Sequence, residues 1–244
     1  MKLDRQIGSR IEDPTEKRVY VRRLFAGIAG RYDLTNDVMS LGLHRRWKRK
    51  VLGIAALAPG QRVLDLAAGT GDLGRGALLG TPGIDVVAVD LTPEMLRVGA
   101  ERPGHGPIGW VAGDALELPF PPSTFDRVLI GYGLRNFADL DGSLVEILRC
   151  LRPGGRLVAL DFGHPRSGAL RKAYLGYLDV STRAVGWVLH RDAESYVYIP
   201  ESLRRFPGQM GVLRSMEGAG YEFCGIADLL GGAMAINFGD RPSA

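Results

Sequence analysis

The stretch from Arg62 to Gly74, R-V-L-D-L-A-A-G-T-G-D-L-G, limits most strongly what the rest of the chain can become. Val63, Leu64 and Leu66 form an apolar run of the length of a buried parallel strand, and the glycines end it abruptly. From Leu73 the pattern resumes as a helix. A strand, a glycine turn and a helix N-terminus bring backbone N–H groups to one spot, where they can meet a ligand's polar group. Gly69 and Gly71 lack a Cβ, so the chain can turn sharply there and a ligand can come close. A small polar ligand is expected at this turn.

The turn alone does not say which ligand. Gly69, Gly71 and Gly74 match the spacing of a dinucleotide-binding loop, and Asp90 follows where a ribose-binding acid would stand. Asp65 argues the other way, because a dinucleotide-binding strand usually carries an apolar residue at that place.

Beyond Arg62 the pattern alternates strand and helix, as in a parallel sheet covered by helices on both faces. Strands are expected over 62–67, 85–90, 108–112, 125–131 and 156–162, and helices from Thr92-Pro93 and over 141–151. Asp90, the Gly113-Asp114-Ala115 step and Gly131 then fall at carboxyl ends of neighbouring strands, where open α/β sheets bind ligands. Residues 165–208 break the alternation with Tyr, Arg and apolar residues at helical spacing, and read as an inserted cap over the strand ends. A helix over 210–219 and an antiparallel hairpin of 221–228 with 233–238 complete the sheet. Upstream, 15–29 reads as a helix with Val19, Leu24, Phe25 and Ile28 on one side. Asn36 or Asp37 is expected to cap a second helix, which Gly42 interrupts. Tyr32, Asp33 and Asn36 are either turn-forming groups or the polar face of a lid. The division is thus a helical lid (1–58), an α/β core (59–164), a helical cap (165–208) and the completion of the core (209–244).

A chain of 244 residues that is 45% apolar can bury one such core. It contains no apolar run long enough to span a bilayer and no secretory leader pattern, so a cytoplasmic protein is expected. Two cysteines and four scattered histidines (His44, His105, His164, His190) offer neither a disulfide framework nor metal-ligand spacing. Net charge is +4, yet residues 1–50 alone carry thirteen Lys/Arg against six Asp/Glu. That imbalance, with Trp47 amid Arg45, Arg46, Lys48, Arg49 and Lys50, is either a solvated helix face or a contact with a lipid headgroup layer. No aromatic-basic RNA-binding signature accompanies it, so nucleic acid is not expected as a partner.

A sulfonium nucleoside would find what it needs at these strand ends. Asp90 can accept from ribose hydroxyls, Asp114, Ala115 and Leu116 offer an acceptor and apolar walls for adenine, and the Gly69–Gly71 turn with Asp65 suits an amino-acid end. The elements D-L-A-A-G-T-G, V-D-L-T-P-E-M-L, G-D-A-L-E-L-P-F, F-D-R-V and L-R-P-G-G-R-L-V resemble those of class I S-adenosylmethionine-dependent methyltransferases. More specifically, F-A-G-I-A-G-R-Y-D-L-T-N-D-V-M-S-L-G-L-H-R-R-W-K, G-L-R-N at 133–136 and Y-I-P-E-S-L-R-R-F-P at 198–207 are similar to the quinone C-methyltransferases acting on demethylmenaquinone and the ubiquinone precursor. The family more often has Ser at Gly131, Asn at Asp114, and E-F-S-x-P where this chain has D-F-G-H-P.

The resemblance implies a Rossmann-like, doubly wound, mostly parallel seven-stranded α/β sheet. It also implies S-adenosylmethionine as methyl donor, without a metal, bound through Thr70, Asp90 with Leu91, Asp114 with Ala115, and Gly131. The acceptor is a reduced demethylated isoprenoid quinone, methylated at a ring carbon beside a hydroxyl. Arg135 is cast as the stabiliser of the phenolate or the holder of a water, Asn136 and Tyr32 as orienting groups, and Asp33 as a proton acceptor. Tyr174, Tyr177, Trp187, Tyr196 and Tyr198 are candidate ring contacts, and Glu201 with Arg204 a lock for the cap. Another small phenol or polyketide as acceptor, an NAD(P)-dependent oxidoreductase, and a homodimer remain open from sequence.

Overall fold

The computed structural model describes residues 12–103, 106–185 and 194–243. The extreme N-terminus, His105, Trp187 and His190 lie outside them, as does the side chain of Tyr196. Seven strands form one sheet in the order β3-β2-β1-β4-β5-β7-β6. They are β1 (Arg62–Leu66), β2 (Asp85–Asp90), β3 (Ile108–Ala112), β4 (Phe125–Gly131), β5 (Leu151–Phe162), β6 (Glu222–Leu229) and β7 (Met234–Asp240). The first five run parallel, and β7 enters antiparallel between β5 and β6. The order reverses at β1, so a crevice opens between the carboxyl ends of β1 and β4.

Among the described residues, three α-helices precede the sheet: α1 (Pro14–Ile28), α2 (Tyr32–Ser40) and α3 (Leu43–Ala55). Within the sheet lie α4 (Asp72–Gly80), α5 (Pro93–Ala100) and α6 (Leu140–Cys150), followed by α7 (Gly168–Val185), α8 (Glu194–Arg205) and α9 (Gly208–Ala219). Alternation along the strands builds two cores. Leu64, Leu66, Val128 and Ile130 pack beneath α6 and α9, whereas Val63, Val86, Leu129 and Val158 pack beneath α3 and α4.

Several sequence expectations are corrected. Asn36 and Asp37 lie inside α2, and the first helix is capped instead by Asp13, whose Oδ1 accepts from the N–H groups of Thr15 and Glu16 at 2.8 and 2.9 Å. On α1 it is Val21 with Leu24 that turns inward, while Val19 is exposed. β5 begins at Leu151 rather than Arg156, because Pro153-Gly154-Gly155 is absorbed as an irregularity in the pairing with β4. Trp47 is not at a headgroup-facing position: with His44, Val51 and Ala55 it forms the buried stripe of α3. Arg45, Arg46, Arg49 and Lys50 remain outside. Glu201 pairs along its own helix with Arg204 and Arg205, and it is Arg205 that reaches Glu12 near the start of α1. Among the described residues, no helix is long and apolar enough to cross a membrane, and no three His, Cys, Asp or Glu residues are gathered as a metal site.

Candidate functional site

Two cavities meet over the carboxyl ends of β1, β2 and β4. The first, about 70 Å³, is lined by Gly69, Asp90, Leu91, Asp114, Ala115, Gly131 and Asn136. The second, about 290 Å³ and mostly apolar, lies beneath α1, α2, α3, α7 and α8. Phe25, Tyr32 and Tyr132 belong to both walls, so a ligand in one would touch a ligand in the other across these three rings.

The first cavity is shaped by the turn after β1. Gly69 has φ +57°, and a Cβ there would stand 3.1 Å from Met95 and 3.6 Å from Tyr32, inside the space a ligand would use. Asp90 is anchored by its own surroundings: Oδ2 accepts from Gly69 N–H and Oδ1 from Thr92 N–H, both at 2.8 Å. Burial pushes its carboxyl up from the ordinary range, against those two hydrogen bonds. Thr92 stands at the N-cap of α5 as expected, but its hydroxyl serves Asp90 rather than the helix. Asp114 accepts from Leu116 N–H at 3.0 Å and pairs with Arg18 of α1 at 2.8 Å, so the first helix closes over this cavity.

Three expected contacts lie elsewhere. Asp65 lines neither cavity; strand alternation turns it toward α4, where Oδ2 accepts from Gly74 N–H at 2.7 Å. Burial pushes its carboxyl up to about 7. Gly71 faces the Trp110 ring, 2.4 Å from where its Cβ would be, and therefore serves packing. Thr70 donates its hydroxyl to Asp33 Oδ1 at 2.8 Å. Asp33, which also pairs with Arg102, ties α2 to the glycine turn and is not among the residues that line these two cavities.

Arg135 is held beneath the second cavity. The short 3₁₀ turn Leu134–Asn136 buries it, and its Nη1 donates to the Tyr132 carbonyl at 2.6 Å and to Asp161 Oδ1 at 3.2 Å. Its guanidinium lies 4.8 Å from the centre of the Phe162 ring. Asp139, four residues on, accepts from Gly142 N–H and caps α6. Asn136 donates to the Tyr132 carbonyl at 3.2 Å and accepts the Tyr198 hydroxyl at 2.9 Å, fastening α8 to the G-L-R-N segment.

The chain is similar over nearly its whole length to known methyltransferases. The model of the ubiE/COQ5 methyltransferase family matches residues 12–241. The ubiquinone/menaquinone biosynthesis C-methyltransferase of Methylococcus capsulatus is 42% identical over 95% of this chain and 96% of its own. That of Rubrivivax gelatinosus is 40% identical over 99% and 95%. The chain belongs to the ubiE/COQ5 methyltransferase family.

Solved methyltransferases share the fold of this family member at lower identity. A chain of the Haloferax volcanii complex between the Trm112 methyltransferase activator and a methyltransferase superposes with TM-score 0.66 at 18% identity, covering 91% of this chain and 97% of that one. Phosphoethanolamine N-methyltransferase 2 of Haemonchus contortus, solved with S-adenosyl-L-methionine, gives 0.59 at 18%, covering 81% and 52%.

Sequence reasoning missed two buried charged groups that pack around Arg135. Asp161 is buried at the end of β5, its Oδ1 accepting from Phe162 N–H at 2.8 Å and its carboxyl pushed up by burial against the pull of Arg135. Its signal was the acid opening D-F-G-H-P. Lys17 of α1 donates to the Phe137 carbonyl at 2.5 Å; burial and then the Arg135 charge lower its ammonium to about 8. Nothing in its local sequence marks that partner, which lies 120 residues away.

Proposed function

We propose that this methyltransferase transfers the methyl group of S-adenosylmethionine to a ring carbon of a reduced demethylated isoprenoid quinone, demethylmenaquinol or the ubiquinol precursor. The observation that carries the reading is the shared wall of Phe25, Tyr32 and Tyr132, with a charged guanidinium held beside the larger, apolar cavity. The relatives named above, which act in ubiquinone/menaquinone biosynthesis as C-methyltransferases, support the choice of acceptor.

The residues that line the first cavity suit the methyl donor chemically. The Gly69 edge leaves room where a Cβ would intrude, Asp90 presents a carboxylate for ribose hydroxyls, and Leu91, Ala115 and Met95 offer apolar walls for adenine. The donor supplies an electrophilic methyl group and leaves as a neutral thioether. The protein's part is mainly positional: Tyr32 and Phe25 hold the acceptor ring against the first cavity. The Arg135 guanidinium stabilises negative charge on the ring oxygen beside the reacting carbon. A water at the guanidinium relays the phenolic proton to solvent as the ring carbon attacks the methyl group. The methylated carbon then loses its own proton to solvent and the ring oxygen regains one, which restores the aromatic quinol and releases one proton overall. Asn136, fixed by Tyr198, sets the position of the turn that carries Arg135.

The isoprenoid tail leaves by the mouth of the second cavity, where Leu41 and Leu43 line the opening and are exposed, with Leu34 and Val38 beside them on α2. Arg45, Arg46, Arg49 and Lys50 flank this apolar rim. An anionic membrane surface on the cytoplasmic side suits both features. Cosedimentation with phosphatidylglycerol vesicles, lost at high salt, is the expected result.

The decisive assay mixes the protein, labelled S-adenosylmethionine and a reduced demethylated naphthoquinone. Label should appear on the ring carbon, and Arg135→Ala should abolish transfer while sparing cofactor binding. Cofactor binding without transfer to any quinol overturns the reading.

A further inference from the structure

The residue before G-L-R-N has an unusual conformation and an unusual hydroxyl. Tyr132 follows β4 with φ +65°, in the left-handed region that a side chain bearing a Cβ seldom occupies. That turn sends its carbonyl to both Arg135 and Asn136, while its N–H donates to the Leu160 carbonyl at 2.7 Å. Its ring packs on Phe162 with centroids 6.1 Å apart, the same ring that carries the Arg135 guanidinium. Strain of this kind collects at functional positions.

The hydroxyl at the end of that ring is sealed from solvent, and among the described residues no group bonds to it. A buried polar atom left without a partner costs stability, and a phenylalanine of the same shape would avoid the cost. Tyr174 of α7, in the wall of the second cavity, has a second such hydroxyl, and the Arg135 Nε is a third buried donor without a partner. Tyr132, Arg135 and Tyr174 all line the second cavity, whose walls are otherwise mostly apolar. A flat molecule with acceptor oxygens at its edge, seated there with a small shift of these side chains, would answer the three donors.

We propose that Tyr132 and Tyr174 are acceptor-binding residues: the Tyr132 hydroxyl donates to the ring oxygen beside the carbon that is methylated, and the Tyr174 hydroxyl to an oxygen farther along the ring. The assignment follows from position, since Tyr132 lies in the walls of both cavities and Tyr174 in that of the second alone. It rests on the quinol reading and names the groups that hold the quinol. Burial keeps both phenols well above their ordinary range, so each stays a donor across neutral and mildly alkaline pH. A donor fixed at the reacting oxygen favours the phenolate, so Tyr132 contributes to kcat, whereas a donor at the far oxygen contributes equally before and during reaction and shows in KM.

The test compares the intact enzyme with Tyr132→Phe and Tyr174→Phe. Readouts are steady-state methylation of a reduced demethylated naphthoquinol at saturating S-adenosylmethionine across pH 6–9, calorimetric binding of S-adenosylhomocysteine, and thermal unfolding. Tyr132→Phe should lower kcat by about 10- to 100-fold and move its rising limb to higher pH. The homocysteine product should bind as before, and the melting temperature should be unchanged or higher. Tyr174→Phe should raise KM by about tenfold and affect kcat less. Turnover within twofold of the intact enzyme in both variants overturns the proposal, as does a loss matched by a fall in melting temperature. An intact enzyme that methylates no quinol overturns the quinol reading, and this assignment with it.

Discussion

Replacing Asp161 by Asn would test how the site's central charge is held. The Arg135 Nη1 and the Asp161 Oδ1 stand 3.2 Å apart with both side chains almost fully buried. At that separation, unit charges attract by about 5 kcal/mol at an effective dielectric constant of about 20. Removing one partner of a buried pair typically costs about 3–5 kcal/mol, because the remaining charge stays desolvated. The asparagine carbonyl can replace only one carboxylate oxygen, keeping the bond from Phe162 N–H and losing the one from Arg135 N–H, so the expected loss is at least about 3 kcal/mol. For a chain of this size that is a drop in melting temperature of roughly 6–12 °C. Circular dichroism on heating measures it, calorimetry with S-adenosylhomocysteine checks that the first cavity is intact, and methyl transfer reads the site. Turnover should fall further than the folded fraction, since Arg135 loses the group that aims it. The double variant Arg135→Met/Asp161→Leu should recover most of the stability and none of the turnover, because an apolar pair needs no desolvated charge. A single variant that melts within 2 °C of the parent (about 1 kcal/mol or less) and turns over within twofold would refute the reasoning.

Asp90→Ala leaves the N–H groups of Gly69 and Thr92 without their acceptor and the ribose without its carboxylate. Binding of S-adenosylhomocysteine should weaken by about 100-fold or more in calorimetry. Asp65→Asn should alter the pH dependence of stability. With the folded carboxyl at about 7 against an ordinary 3.8, the folded chain holds a proton between those values that the unfolded chain has released. Stability therefore falls as pH rises across that window, by up to about 4 kcal/mol, and is level above it. Urea midpoints from pH 5 to 8 should show that slope in the parent and not in the variant; equal slopes would place the proton elsewhere. Tyr198→Phe removes the donor to Asn136 and should cost about 1 kcal/mol, seen as a lower melting temperature with cofactor binding unaltered.

Much of the fold was legible because it is written in short-range pattern. Runs such as D-V-V-A-V-D at 85–90 are β-branched and apolar, and a strand buried on both faces needs little else. Gly69 and Gly113-Asp114-Ala115 were placed correctly for the same reason: each ends its own strand, and the topology of a parallel sheet brings strand ends together. The errors at Asn36, Asp37 and Trp47 came from reading local capping and charge on segments whose orientation is set by burial. On α3, a stripe of His44, Trp47, Val51 and Ala55 outweighs any attraction of Trp47 to a surface.

What the chain determined by itself is the scaffold and the first cavity, since strand length, alternation and glycine turns are properties of neighbouring residues. Which acids line the cavity and which turn into the protein was decided only by tertiary structure. Asp65 and Asp90 both belong to motifs that suit a nucleoside, yet pleat and register send one to the Gly74 amide beneath α4 and leave the other at the cavity. The same is true of Arg135. Its charge is plain in the sequence, but its burial, its partner 26 residues away and its place beneath an apolar cavity exist only once β4 and β5 lie side by side. A local sequence carries torsional preference and hydrophobic period; it does not carry the distance between two side chains that the sheet brings together.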